Sequence, residues 1–368
     1  MTPKVSIIVP CYNVEQYLER GIGSLSRQTL GDIEIICVND ASTDGTLRLL
    51  ETLALMDMRI TVINLKKNGG VSNARNTGIN KAKGEYIGFL DPDDMVDFDF
   101  CQKLYDAAKK DETDMAVANL KCHKFHLIDK KIVEYVETNP KWRPIEFIAS
   151  NLFFFTGHYA AIYRRKFLKE NKLEYPTELS NGEDHIFEKR CILALHCKHG
   201  RYTVVPQTFY HHIRRLGSLD SCFFNMRQLS ANLDAVKMAL EMLNNAPGVS
   251  ERDYNLFIVP RVSYLFTGLL ERVTSQKSFE LIAETLVNMY KNMKYHGELS
   301  KNIPDATMFA LLAAENTEQL AKHLAIIVKY IVRKYKLFGF INIMTTGERY
   351  NCKTYWLFGR IKLWQIKL

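Results

Sequence analysis

Residues 4–38 read KVSIIVPCYNVEQYLERGIGSLSRQTLGDIEIICV. Residues 4–9 and 33–38 are short β-branched runs bounded by turn residues, and between them the 15–28 segment sets Leu18, Ile22 and Leu25 at helical spacing. Strand, helix and strand in this order, joined by short links, make the unit from which parallel sheets are assembled.

The alternation continues outward. Residues 46–55 read as helix, 60–65 as strand, 71–82 as helix and 85–90 as strand, which predicts an α/β fold: a mostly parallel sheet with helices on both faces. From 98 to 210 the pattern is less regular, with a helix near 98–110, a strand near 114–119 and an apolar segment from Leu152 to Tyr163. Beyond Ser221 the sequence turns helical, and 223–244, 252–273 and 278–293 each carry apolar residues at three- and four-residue spacing.

Composition bounds the function. The chain has 368 residues, 47% of them hydrophobic and 24% charged, which excludes wholesale disorder and suits two or three domains. No apolar run approaches the ~18–20 residues of a membrane span. The opening MTPKVSIIVPCYN has no signal-peptide pattern, so a cytoplasmic chain is expected. The eight cysteines include no C-x-x-C pair, which argues against zinc and disulfide frameworks.

The net charge of +8 is local. Residues 322–368 hold ten basic residues against Glu348, and the remainder is close to neutral. No nucleic-acid groove is therefore expected on the body of the chain; an anionic partner should meet the C-terminus.

In an open parallel sheet the ligand lies at the carboxyl ends of the strands. The segments there are Pro10-Cys11-Tyr12-Asn13, Asn39 to Asp44, Lys67 to Gly70 and Asp91-Pro92-Asp93-Asp94, all polar and nearly free of aliphatics. No G-x-G-x-x-G follows the first strand, which argues against a dinucleotide cofactor. A D-x-D pair at a strand end suits Mn²⁺ or Mg²⁺, which take one or two protein carboxylates and leave positions for phosphate and water. The plainer alternative is an acidic turn that caps the next helix.

Together these blocks resemble family 2 glycosyltransferases of the GT-A fold. The matching pieces are VSIIVPCYN at 5–13, VNDASTDGT at 38–46, GGVSNARNTGI at 69–79, GEYIGFLDPDD at 84–94 and NGEDHIFEKR at 181–190. The resemblance covers residues 1 to about 220. It implies one GT-A domain over 1–220, with a nucleotide-binding half at 1–97 and an acceptor half at 98–220. A helical domain at 221–334 and a basic aromatic tail at 335–368 follow.

The resemblance further implies an inverting transfer of a sugar from a nucleotide-sugar donor, expected to be UDP-linked. The acceptor would be a hydroxyl of a cell-surface glycan or glycolipid, a lipooligosaccharide or capsule. Pro10 and Tyr12 would line the base, Asp40 would contact base or ribose, and Arg75 the base. Asp91 would hold the ribose and Asp93 the metal. Of the Glu183-Asp184 pair, placed in a helix first turn, Asp184 would be the catalytic base. Such a base takes the acceptor proton while the metal neutralises charge on the diphosphate, so no covalent nucleophile is required.

Ala41 stands where the family usually has glycine. This matters only if the position needs a positive φ, and with the surrounding motif intact it reads as minor. Tyr210-His211-His212-Ile213-Arg214-Arg215-Leu216-Gly217-Ser218 resembles the family's closing segment, with Ile213 replacing a usual arginine. Strand alternation puts one of the two histidines on the site face, and His211 is the expected metal neighbour.

The tail sets Tyr335, Phe338, Phe340, Tyr355, Trp356, Phe358 and Trp364 among lysines and arginines, the composition of an interfacial anchor on an anionic membrane surface. A small packed β-ribbon or helix edge that happens to be basic is the competing reading. Two rival functions also remain, a nucleotidyltransferase and a nucleotide-sugar-binding protein without catalysis. The stretch PCYNVEQY after the first strand lacks the glycine-rich basic loop of the former, and Asp93 with Asp184 argues against the latter.

Overall fold

The computed structural model describes residues 2–128, 131–138, 158–197, 200–214, 226–251, 254, 275–294, 310–312, 314–326, 344–349, 352–357 and 361–367. The chain divides into two compact units, Met1–Cys222 and Phe223–Leu368.

The first unit begins with β1 (Val5–Cys11), α1 (Glu15–Ser26), β2 (Ile33–Asn39), α2 (Thr46–Met56), β3 (Ile60–Asn64), α3 (Val71–Lys81) and β4 (Tyr86–Phe89). β1 lies between β2 and β4, β3 flanks β2, and all three pairings are parallel. The strand-helix alternation read from the sequence thus forms a parallel block of four strands.

Next come β5 (Met95–Val96), α4 (Phe100–Lys110), β6 (Met115–Ile128), β7 (Lys131–Thr138), a 3₁₀ turn (His158–Ala160), β8 (Ala161–Arg164), α5 (Arg165–Glu170), α6 (Glu183–Cys197) and β9 (Tyr202–Arg214). Among the described residues the sheet runs β3-β2-β1-β4-β8-β6-β9-β5, with β7 paired to β6. β8 runs antiparallel to both β4 and β6, and β6 pairs parallel with β9.

Sequence periodicity anticipated only the start of β6 and none of β5, β7 or α5. β5 is two residues long, too short for any pattern, and is defined by its partner: Met95 pairs with His211 and Val96 with Tyr210. That pairing joins the Asp91–Asp94 loop to the far end of the sheet.

Strand alternation explains the two cores. Val5, Ile7 and Val9 of β1 face Leu18, Ile22 and Leu25 of α1 and, further along the sheet, Phe100 and Leu104 of α4. Ile8 faces the opposite side, where Ala74 and Ile79 of α3 join Phe187 and Cys191 of α6. Both faces of the sheet are therefore covered, as parallel strands require.

In the second unit, α7 (Met226–Asn245) buries Leu229, Leu233, Val236 and Leu240, and α8 (Gln276–Asn292) buries Phe279, Ile282, Leu286 and Met289. Asn244 of α7 donates to the Asn292 carbonyl of α8 at 2.7 Å, and Ser275 caps α8 by accepting from the Ser278 amide. Apart from Tyr254, the helix expected over 252–273 lies outside the described residues.

Within the tail, β10 (Met344–Arg349), β11 (Cys352–Leu357) and β12 (Ile361–Lys367) form an antiparallel sheet. Tyr335, Phe338, Phe340 and Phe358 lie outside the described residues. No helix among the described residues is long and apolar enough to cross a membrane.

Candidate active site

The loops after β1 and β2 are tied to each other. The Asn13 side-chain oxygen accepts from the Thr43 amide at 2.8 Å, the Asn13 amide donates to Ser42 Oγ at 3.1 Å, and the Val14 amide donates to Thr46 Oγ1 at 2.9 Å. Pro10 is buried at the end of β1 beside Val38. Tyr12 is 48% exposed, so an aromatic face is presented at the strand ends.

Asp40, expected at the base or ribose, is only 3% exposed. Its Oδ1 accepts from the Gly69 amide and its Oδ2 from the Gly70 amide, each at 2.8 Å, while Asn68 donates to its backbone carbonyl. Asp40 thus holds the loop that enters α3. The next residue, Ala41, has φ +56°, so its departure from glycine is not minor: an alanine occupies the left-handed region that costs a side chain roughly 1–2 kcal/mol.

The three carboxylates of the loop after β4 have three different environments. Asp91 accepts from Arg75 Nη2 at 2.8 Å, and its amide donates to Tyr210 Oη. Asp93 is half-buried, and its backbone carbonyl accepts from Arg20. Asp94 is 1% exposed; it accepts from the Tyr210 hydroxyl at 2.8 Å and the Ile213 amide at 2.7 Å, and His212 Nδ1 lies 3.3 Å away. Asp94 therefore fastens the loop to β9, a role the sequence did not signal.

His211, expected beside the metal, has both ring nitrogens engaged: Nε2 lies 2.8 Å from Asp97 and Nδ1 2.9 Å from His123 Nε2. Of the adjacent pair it is His212 that faces the Asp91–Asp94 loop. Among the described residues no three His, Cys, Asp or Glu side chains gather as a metal cage. Asp93, expected to hold the metal, offers a single half-buried carboxylate; a hard divalent ion there would take its other ligands from phosphate oxygens and water.

Glu183 and Asp184 open α6, where the helix dipole favours carboxylates. Arg75 reaches this turn from α3: its guanidinium is almost fully buried and donates from Nη1 to Glu183 at 2.9 Å while holding Asp91 through Nη2. These ion pairs engage its terminal nitrogens. Arg75 also lies over the Tyr175 ring, 5.1 Å from the centroid, and Tyr175 stacks on Phe187 at 4.0 Å. The Asn76 side chain exchanges two hydrogen bonds with the Tyr175 backbone, which fixes that ring.

The electrostatics follow the geometry. Burial works against the Arg75 charge, but Asp91, Tyr175 and Glu183 outweigh it and hold the guanidinium more firmly protonated than usual. Burial pushes the Glu183 carboxyl up, reinforced by Asp184 and opposed by Arg75. Asp184 is half-buried, and its Oδ1 accepts from the His185 amide at 2.7 Å.

Tyr159, from the 3₁₀ turn before β8, joins the two sides. Burial, reinforced by the charges of Asp94, Asp184 and Asp91, raises the pKa of its phenol. Its ring stacks on His212 at 5.8 Å and packs on Tyr210 at 4.5 Å. Tyr159 was visible in the sequence only as part of an apolar run. The Arg215 to Ser218 part of the closing segment lies outside the described residues.

The chain is similar to known proteins in sequence and in fold. The model of glycosyl transferase family 2 matches residues 6–171. An uncharacterized glycosyltransferase of Haemophilus influenzae is 31% identical over 310 residues, 81% of this chain and 92% of that protein. The poly(ribitol-phosphate) beta-glucosyltransferase of Bacillus spizizenii is 34% identical over 193 residues, 52% of this chain and 30% of that enzyme. In two further curated relatives the matched stretch spans 33% and 63% of their length. The crystal structure of S. aureus TarS 1-349 in complex with UDP-GlcNAc superposes with a TM-score of 0.68 at 18% identity, covering 96% of this chain and 99% of that one, which is a likeness of fold. The chain belongs to glycosyltransferase family 2.

Proposed function

We propose that this family 2 glycosyltransferase moves a sugar, with inversion, from a UDP-linked donor to a hydroxyl of a cell-surface glycan or glycolipid, with Asp184 as general base. The observation that carries the reading is the Arg75 bridge, which ties Asp91 of the donor-side loop to Glu183, the residue next to the base.

On this reading Tyr12 stacks on the base at the end of β1, beside Pro10, and Asp40 shapes the floor beneath it through Gly69 and Gly70. Asp91 meets the ribose. Mn²⁺ or Mg²⁺, held at Asp93, supplies neutralisation of the charge that develops on the departing diphosphate. Asp184 takes the acceptor proton as the hydroxyl attacks the anomeric carbon, while Glu183, paired with Arg75, orients the turn that carries it.

A hydroxyl acceptor is supported by the relative named poly(ribitol-phosphate) beta-glucosyltransferase, since ribitol carries hydroxyl groups. The basic aromatic tail docks the enzyme on the anionic inner face of the cytoplasmic membrane. The deciding experiment presents the purified protein with a panel of nucleotide sugars in Mn²⁺, Mg²⁺ or EDTA and follows release of the nucleoside diphosphate. Metal-dependent hydrolysis of one UDP-sugar is expected. Release of pyrophosphate from a nucleoside triphosphate and a sugar phosphate would instead mark a nucleotidyltransferase.

A further inference from the structure

One face of α1 holds the loop that carries Asp93. Arg20 donates from Nη2 to the Asp93 carbonyl at 2.6 Å. The next residue, Gly21, is buried, and a β-carbon there would lie 2.5 Å from the Pro92 carbonyl oxygen and 3.3 Å from that of Asp94. One turn on, Ser24 Oγ accepts from the Val96 amide and donates to the Gly21 carbonyl. Two residues past the end of α1, Gln28 donates to the Asp97 carbonyl at 2.7 Å and accepts from the Cys101 amide at 2.9 Å. Residues 21, 24 and 28 recur at three- and four-residue spacing, so one stripe of side chains follows the chain from Pro92 to Cys101.

We propose that α1 is the positioning element of the metal-binding loop. Arg20 and Gly21 set the path of the backbone at Pro92 and Asp93, and with it the place where the Asp93 carboxylate meets the divalent cation and the donor diphosphate. The proposal rests on the metal-assisted reading above. It explains why α1 carries glycine at position 21, although glycine is disfavoured in helix interiors relative to alanine. At Gly21 the space demands it. At Gly23 it does not, since a β-carbon would meet only the end of the flexible Arg27 side chain, at 3.3 Å.

The two glycines supply the test. UDP affinity is measured by titration calorimetry on the full chain, in Mn²⁺ and in EDTA, for wild type, Gly21→Ala, Gly23→Ala, Arg20→Ala and Arg20→Lys, with melting temperatures alongside. Gly23→Ala should bind like wild type. Gly21→Ala should bind UDP about 10-fold or more weakly in Mn²⁺ but like wild type in EDTA, because a displacement of about 1 Å at a charged contact is costly. Its melting temperature should fall little, since alanine's helix propensity offsets part of the clash. Arg20→Ala should show a smaller loss of the same kind, partly restored in Arg20→Lys. Folded Gly21→Ala with wild-type affinity in Mn²⁺ overturns the proposal. Should Gly21→Ala fail to fold, the exposed Arg20 decides: unchanged affinity in Arg20→Ala overturns it equally. If wild type itself binds UDP alike in Mn²⁺ and EDTA, the metal-assisted reading fails and this inference falls with it. Metal dependence kept in wild type and in both variants sinks the inference alone.

Discussion

Arg75 and Glu183, 108 residues apart in sequence, meet at 2.9 Å in a site where the arginine side chain is 5% exposed and the glutamate 12%. A buried pair of this kind is weak evidence of net stability, but leaving one member without the other is costly. Arg75→Met should therefore destabilise the fold by about 3 kcal/mol and Glu183→Gln by less, with a coupling of roughly 1–3 kcal/mol in the double-mutant cycle. Additive losses in a denaturant titration would show that the pair does not act as a unit.

Asp184→Asn should leave UDP binding near wild type and lower transfer by about 10² or more, the share typical of a positioned base. If donor affinity collapses while bound donor still turns over, Asp184 is a binding residue and the base lies elsewhere.

Asp93→Ala should lose metal and donor affinity together. Asp94→Ala should behave differently, because Asp94 accepts from Tyr210 and the Ile213 amide and its removal leaves buried donors unpaired. It should lower the melting temperature as well as activity. Full wild-type activity in excess EDTA would contradict the role given to Asp93.

Ala41→Gly should stabilise the protein by about 0.5–1 kcal/mol, the relief of a left-handed alanine less the added freedom of glycine in the unfolded chain. Urea denaturation with an unchanged m-value reads this directly. A destabilised Ala41→Gly would mean that the methyl group makes a contact worth more than the strain.

Removing residues 335–368 should weaken binding to anionic vesicles and leave hydrolysis of the soluble donor largely intact. Vesicle binding of the full chain should weaken with salt, because headgroup attraction is screened within about 8 Å at physiological ionic strength. An insoluble or donor-inactive truncation would favour a packed ribbon, and undiminished vesicle binding would move the anchor to another surface.

The sequence by itself determined the parallel half of the sheet, because each βα unit there is local: periodicity, turn residues and short links decide β1 to β4 without reference to distant chain. It likewise determined that polar loops, a D-x-D and a Glu-Asp helix start exist, since these are contiguous motifs. Only the tertiary structure decided what those residues do to one another. The resemblance gives Arg75 a base contact, and nothing near it in sequence reveals that it also meets Asp91 on one side and Glu183 on the other. The different environments of Asp91, Asp93 and Asp94 come from Arg75 of α3, Arg20 of α1 and β9, the last of which arrives more than a hundred residues later and engages Asp94 through Tyr210 and Ile213. His211 and His212 alternate on one strand, and the partners Asp97 and His123 settle which of them turns from the loop. Ala41 takes a positive φ because its neighbour Asp40 is held between the Cys11 carbonyl and the Gly69 and Gly70 amides, and those contacts outweigh what alanine would adopt alone. In each case the deciding energy is a hydrogen bond or ion pair between groups distant in sequence and shielded from water, where such contacts are strong and their loss is expensive.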